Sequence, residues 1–447
     1  MKRIKKFFSI LIGKVTLFLC KLIGRGSSTP GVIAYKFNKN ILNDFILPKN
    51  IIVVTGSSGK GSTTKMINDV YKDLGFKVAY NSKGSNQLGA IITTLIENCN
   101  MKGYVNSDVC VFELDERSCK YVIPYIKPTS IVITNITRDQ PPRQRHFDFI
   151  YNEIEKSLIK GCNLIINGDD PYLQKFALEN KYNCLYYGVS KNKYSYNDEK
   201  FNSLNIYRCP KCLKKLDYNY YNFETLGDYK CPSCDFKRPK INYEVTVIDY
   251  DKFEIKINNK YKVNINNNML FNIYNTISAF ACLAFNKLDC NRIAKSMSKI
   301  ALNKKLFNEY KYKNRNVYVL NNKAENASTY NQSVFYTSQN KNTKTLVLGW
   351  MEISRRYNFD DLSWLYDIDF ELLNDGSVDK IICCGPQKYD IALRMKYAGF
   401  DEDKIKVFYD LYDAEEEIKN SNGDIYAILN FDYVKPFNDI MEEDIWI

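Results

Sequence analysis

Residues 51–67 read IIVVTGSSGKGSTTKMI. Four β-branched apolar residues, Ile51 to Val54, predict a buried strand of a parallel sheet. They run into Thr55, Gly56, Ser57, Ser58, Gly59, Lys60, Gly61, Ser62 and Thr63, and then into a helical stretch. A strand, a glycine-rich turn and a helix N-terminus together form a phosphate cradle, because unpaired backbone N–H groups and the positive end of the helix dipole face the anion. Lys60 is positioned to reach terminal phosphates, and a hydroxyl just after it to ligate Mg²⁺. The loop is the short G-x-x-G-K, and Gly61 stands where the first hydroxyl is expected. That leaves Ser62 or Thr63 for the metal. An ordinary Gly/Ser turn is the plain alternative, and it does not account for strand, lysine and hydroxyls falling in order.

A chain of 447 residues predicts two or three domains. Its 45% hydrophobic and 26% charged residues are those of a folded globular protein. The net charge of +12 fits a polyanionic substrate, nucleic acid or a membrane surface, or simple Lys and Asn richness. Fourteen cysteines without a secretory signal indicate reduced thiols and a metal site rather than disulfides. The single histidine, His146, excludes any internal Cys–His hydrolase built without it.

Residues 1–25 are basic and apolar, but Lys14 and Lys21 break the run needed for a signal peptide or a spanning helix. Phe7, Leu11, Val15, Phe18 and Leu22 recur at helical spacing. This is either a basic amphipathic helix on an anionic membrane or one packed on protein. Residues 50–200 alternate strand-like and helix-like runs, an α/β unit with a mostly parallel sheet. Val109 to Phe112 is a second buried strand ending in Glu113-Leu114-Asp115-Glu116. An acid at a strand end beside a phosphate loop is a natural second Mg²⁺ ligand, and Glu113 is the candidate. Ser130 to Thr134 and Leu164 to Ile166 are further strands, the latter followed by the acidic turn Asn167 to Pro171.

Cys209-x-x-Cys212 and Cys231-x-x-Cys234, 18 residues apart, have zinc-ribbon spacing. Such a site is closed and structural. Its Tyr-, Asn- and Asp-rich flanks offer no basic groove, so no nucleic acid is expected. Strand alternation returns near residue 243, Asn272 to Asn275 opens an Ala-rich helix over Thr276 to Phe285, and residues 310–447 carry their own βα pattern. There, Asp360, Asp361, Asp367 and Asp369 make either a polar site or a solvated turn.

Taken together, Thr55 to Thr64, Glu113 to Glu116, Asn135 to Gln140, Asn167 to Pro171, Asn272-x-Tyr274-Asn275, the inserted four-cysteine ribbon and Ser363 to Glu371 resemble the Mur ligase family, and within it the MurT branch. The resemblance covers almost the whole length. It implies a Mur-ligase-type P-loop central domain with a parallel sheet and an inserted four-cysteine zinc ribbon, plus a C-terminal α/β Rossmann-like domain. The expected division is 1–45, a basic amphipathic segment; 46–305, the ATP-binding middle domain with the ribbon at about 205–240; and 306–447, the MurT-type domain.

The same resemblance implies ATP, Mg²⁺ and Zn²⁺ as cofactors, with ATP held by Gly56, Ser57, Ser58, Gly59, Lys60, Gly61, Ser62, Thr63, Asn135, Asn272 and Asn275. Magnesium would sit on Ser62 and Glu113, with Lys60 and Glu113 catalytic. The implied reaction is amidation of the D-glutamate α-carboxylate of the lipid II stem peptide through an acyl phosphate. Ammonia would come from a GatD-like glutaminase in a heterodimer, whose triad an aspartate of this chain completes, Asp361 or else Asp367. The implied location is cytoplasmic, with peripheral contact at the inner face of the plasma membrane. Departures from the family pattern fall at Pro141-Pro142, at Asn322 to Asn326 and at Phe307-Asn308. An amino-acid-adding ligase of the Mur or folylpolyglutamate kind, and a nucleotide-binding scaffold without activity, are the alternative readings.

Overall fold

The computed structural model describes residues 2–24, 26–81, 84–137, 146–202, 208–300, 307–322, 326–350 and 362–441. Asp139, Pro141-Pro142, Lys323 to Glu325, Asp360 and Asp361 lie outside the described residues. The chain falls into two units, Met1–Ile136 with Phe147–Asn197 and Ile206–Leu302, and a second made chiefly of Asn303–Ile447.

In the first unit, helices α1 (Lys2–Leu22) and α2 (Thr29–Phe37) precede strand β1 (Asn50–Thr55) and helix α3 (Lys60–Asp73). Then come β2 (Val78–Tyr80), α4 (Leu88–Asn98), β3 (Val109–Glu113), α5 (Cys119–Ile126), β4 (Ser130–Ile133), α6 (Phe147–Glu155), β5 (Asn163–Asn167) and β6 (Asn183–Val189). The hairpin β7 (Asp217–Phe223) and β8 (Leu226–Lys230) is followed by β9 (Tyr243–Asp249), β10 (Glu254–Ile257), β11 (Tyr261–Asn264), α7 (Leu270–Phe285) and α8 (Cys290–Met297). The main sheet has the order β11-β10-β9-β6-β5-β4-β1-β3-β2. Every neighbour from β9 to β2 is parallel, and β10 and β11 are antiparallel additions.

The β1 run reads apolar throughout because the sheet is covered on both faces. Ile51 and Val53 join one core with Phe112, Ile131 and Ile133. Ile52 and Val54 point the other way and join a second core with Val111, Val132 and the inner residues of α7. Each such fully buried side chain contributes about 1.5–3 kcal/mol. Strand β1 lies between β4 and β3, so the strand order reverses there. That is where an open α/β sheet leaves a crevice beyond its strand ends.

The second unit contains β12 (Phe307–Tyr312), β13 (Arg315–Asn322), α9 (Ala327–Ser338), β14 (Lys344–Gly349), β15 (Val378–Cys384), α10 (Lys388–Tyr397), β16 (Ile405–Phe408), α11 (Glu415–Lys419), β17 (Asp424–Asn430) and α12 (Phe431–Met441). Its sheet runs β12-β13-β17-β14-β15-β16 and is parallel except for the β12–β13 edge.

The N-terminal helix packs on its own unit. Ser9, Ile10, Gly13 and Leu17 are buried, and a Cβ at Gly13 would lie 2.4 Å from Ile96 of α4. Lys14 donates to the Ile96 carbonyl (2.9 Å) and Lys21 pairs with Glu97 (2.7 Å). Among the described residues, no helix is long and apolar enough to cross a membrane.

Candidate nucleotide and metal sites

The turn after β1 is shaped by glycine and held by asparagine. Gly56 (φ +126°) and Gly59 (φ +77°) occupy backbone conformations that side chains disfavour. A Cβ at Gly56 would meet Thr134 Oγ1 at 2.4 Å, and one at Gly59 would meet Asn275 Oδ1 at 2.3 Å. Asn135 accepts from Ser58 N–H through its side chain (2.9 Å) and from Ser57 N–H through its backbone carbonyl (2.9 Å), and its amide donates to Ser58 O (3.1 Å). Thr134 Oγ1 also donates to Ser58 O (2.6 Å). Asn135 is thus spent on the loop's shape. Helix α3 begins at Lys60, so the N–H groups of Lys60, Gly61 and Ser62 stand in a first turn without intrahelical acceptors.

Lys60 Nζ donates to the carbonyls of Gly56 and Ser57 and forms an ion pair with Glu116 Oε1 at 2.8 Å. Burial by itself would lower the Lys60 pKa; Glu116, backed by Glu113 and Asp115, outweighs this and raises it. Burial pushes the Glu116 carboxyl up, and Lys60 draws it partly back. Glu113 accepts from Asn86 Nδ2 (3.1 Å), and its Oε2 lies 3.3 Å from where a Gly61 Cβ would stand. Asn81 clamps the end of β3, donating to Glu113 O (2.8 Å) and accepting from Glu113 N–H (2.9 Å). Both acids therefore border the loop. Glu116, the partner of the lysine, is not among the site residues expected from sequence, although its place three residues past Glu113 is the available signal.

The two candidate metal hydroxyls differ. Thr63 is buried and directed at Asn275 Oδ1 (3.4 Å) and Ser278 Oγ (3.3 Å) of α7, whereas Ser62 is half-buried. Ser62 and Glu113 offer the hard oxygen donors that suit Mg²⁺. Asn275 braces the loop through Gly59 and Thr63. Asn272 is buried and donates to Asn267 O (3.0 Å), holding the start of α7.

The acidic turn after β5 works inward. Buried Asp169 meets Arg238 (2.7 Å), Val189 N–H (2.7 Å) and Tyr274 OH (2.8 Å). Asp170 accepts from the N–H groups of Tyr172 (2.9 Å) and Leu173 (3.4 Å), yet burial raises its pKa to about 7.

Cys209, Cys212, Cys231 and Cys234 bring their sulfurs within 4.8 Å of one another. The Cys209–Cys234 and Cys212–Cys231 sulfur separations are 3.6 and 3.4 Å. Tetrahedral Zn–S bonds of about 2.3 Å would set them about 3.8 Å apart, so the donor set fits zinc. Each knuckle turns a backbone N–H onto sulfur, Lys211 N–H on Cys209 and Ser233 N–H on Cys231, both at 3.4 Å. Hairpin β7–β8 lies between the knuckles and is tied to the β5 turn by Tyr229 OH on Gly168 O (3.1 Å) and Gly227 N–H on Asp169 O (3.0 Å).

In the second unit, Asp367 is half-buried at the end of a short 3-10 turn (Ser363–Asp367). Buried Arg394 grips this segment through Leu365 O (3.1 Å), Ile368 O (2.5 Å) and Glu371 (2.8 Å). Asp369 is buried, accepts from Asn202 N–H (2.8 Å), and has its pKa raised to about 6 by burial.

Residues 54–283 match the family model of the Mur ligase middle domain, and residues 324–433 match that of the MurT ligase C-terminal domain. The chain is 27% identical over 97% of its length, and 97% of the relative's, to the MurT subunit of lipid II isoglutaminyl synthase (glutamine-hydrolyzing) of Staphylococcus aureus strain COL. To the same subunit of Streptococcus pneumoniae R6 it is 27% identical over 94% of this chain and 93% of that one. A pseudomurein peptide ligase type C from Methanothermus fervidus shares the fold with a TM-score of 0.68 at 21% identity, covering 91% of this chain and 81% of that one. MurF ligase from Thermotoga maritima, in complex with ADP, does so with a TM-score of 0.56 at 15% identity, covering 93% and 84%. The family model covers more than half of the chain, and the α/β architecture of its parallel sheet agrees with it: the chain belongs to the Mur ligase family, with a MurT-type C-terminal domain.

Proposed function

We propose that this chain is the ligase subunit of a lipid II isoglutaminyl synthase, using ATP to amidate the D-glutamate α-carboxylate of the stem peptide. The observation that carries the reading is the Lys60 amine, held at the mouth of a glycine loop between carbonyls and the Glu116 carboxylate, with Glu113 against Gly61. Terminal phosphates would lie against the first-turn N–H groups of α3, with Lys60 turning from Glu116 to them. Ser62 and Glu113 would hold Mg²⁺, which when bound offsets phosphate charge.

The substrate carboxylate oxygen attacks the γ-phosphorus, and the bond from phosphorus to the β–γ bridging oxygen breaks, leaving ADP and an acyl phosphate. Ammonia then adds to the acyl carbon, phosphate departs, and a proton is lost to solvent, giving the amide. In both steps Lys60 and the loop N–H groups neutralise developing charge on phosphate oxygens. Asn135, Thr134 and Asn275 keep the loop in its binding shape. The four-cysteine cluster would hold one structural Zn²⁺.

Ammonia is scarce as the free base at neutral pH, so a GatD-like glutaminase is the proposed partner, with Asp361 or else Asp367 lent to its triad. The names of relatives matched over nearly the full length, each a subunit of a glutamine-hydrolyzing synthase, support a partner subunit. A membrane-anchored substrate would also bring the chain to a lipid surface. The test is ATP hydrolysis with lipid II and ammonium, glutamine plus a co-purified glutaminase, or free amino acids. Turnover with ammonium alone supports the amidating ligase. Dependence on an amino acid transfers the chain to the peptide-adding ligases, and no turnover under any condition leaves a scaffold.

A further inference from the structure

Helix α1 has two apolar faces, and only one of them is used. Ser9, Ile10, Gly13 and Leu17 are buried, while on the opposite side Phe18 and Leu22 are 64 and 69% exposed, with Ile4, Phe7 and Leu19 exposed beside them and Ile23, just past the helix end, 68% exposed. Helix α2 adds exposed Val32, Ile33 and Phe37. A helix that is apolar around most of its circumference is at odds with water on one side.

Charge says what covers it. Nine lysines and arginines precede the first acid of the chain, Asp44. Lys14 and Lys21 are committed to the packed side, but Arg3, Lys5, Lys36 and Lys39 are exposed. An apolar face with exposed cations and no acid on its own helices matches an anionic bilayer surface.

We propose that the exposed face of α1, together with the exposed residues of α2, docks on anionic phospholipid. Its aromatic and aliphatic side chains enter the headgroup boundary, and the basic residues meet lipid phosphates. The purpose of this docking rests on the lipid-linked substrate proposed above; the binding itself does not require it.

The test is sedimentation of the full chain with vesicles of phosphatidylcholine alone or phosphatidylcholine mixed with phosphatidylglycerol, with no substrate present. Binding to the anionic vesicles is expected to exceed that to neutral ones at least tenfold and to fall with added salt. The double variant Phe18→Asp, Leu22→Asp should lose at least tenfold in binding with an unchanged thermal midpoint, and Lys5→Glu with Lys36→Glu should weaken binding to anionic vesicles alone. Absence of binding, or equal binding to both vesicle types, overturns the proposal. So does a concentration-dependent dimer that the Asp variant dissolves, which would give the face to a second copy. Vesicle binding without amide synthesis would leave this inference standing and remove the proposed function; the reverse result would do the opposite.

Discussion

At the scale of single residues, the Lys60–Glu116 pair is the contact that the proposed ATP complex would exchange. The side chains are only 13 and 9% exposed, so neither charge is well hydrated without the other. Lys60→Ala is expected to reduce ATP turnover roughly 10²–10³-fold, while circular dichroism stays native. Glu116→Gln leaves a buried cation short of its partner and should cost about 3 kcal/mol in the free protein. MgATP should restore a larger share of thermal midpoint in that variant than in wild type; equal shifts would show that Lys60 does not change partners. Asp170 sets a pH dependence. Its pKa rises from about 3.9 in the unfolded chain to about 7 in the fold. The group's contribution is therefore full below the unfolded value and is lost as pH rises through about 7. Asp170→Asn keeps the acceptor for Tyr172 and Leu173, so its stability relative to wild type should grow between pH 4 and 7, by at most on the order of 4 kcal/mol. Urea midpoints across that range would measure it.

At the scale of elements, helix packing and the ribbon carry the sharpest expectations. A Cβ on Gly31 of α2 would stand 1.9 Å from the Gly89 carbonyl of α4, against backbone rather than a yielding side chain. Gly31→Ala should therefore cost more than about 2 kcal/mol by forcing the helices apart, read as a lowered denaturant midpoint. The four-cysteine segment is coupled to the main sheet because Arg238, just past Cys234, reaches Asp169. Purified protein should contain one zinc. Cys212→Ser or chelation should remove it and expose the hairpin to protease, while β1 and its loop keep their protection. Much at this scale is legible in sequence: β1, β3, β4 and β5 stand where their apolar runs place them, β9 begins where alternation returns near residue 243, and residues 310–447 fold with the βα pattern read there. The helix expected over Thr276–Phe285 starts earlier, at Leu270, because Asn267 and Asn272 hold its first turn. Strands β11 and β16, short edges of their sheets, and β6, an interior strand whose first four residues are exposed or partly buried, escape a reading of sequence, since they draw their stability from pairing rather than from their own pattern.

At the scale of the whole molecule, the prediction concerns the supply of nitrogen. Asp367→Asn is expected to leave ammonium-driven turnover within about twofold while lowering glutamine-driven turnover at least tenfold, for an aspartate acting on a partner's triad rather than on the ligase step. Equal losses in both assays would place Asp367 in the second unit's own architecture, where Arg394 already grips its neighbours.

The glycine-rich loop, the two α/β patterns, the family and the four cysteines are all legible in the chain alone, because each is a local pattern whose physics needs no distant residue. The rest comes from the folded chain. It gave Lys60 to Glu116, turned Thr63 toward α7 and left Ser62 at the loop, and made Asp169 of the acidic turn a buried strut for Arg238. It also gave α1 both a packed face and an exposed apolar one, where sequence offers the two only as alternatives. The reason is the same each time: charge partners and covered faces depend on which segments the sheet order brings together, and the strand reversal at β1 joins residues more than two hundred positions apart, as Thr63 and Asn275 are.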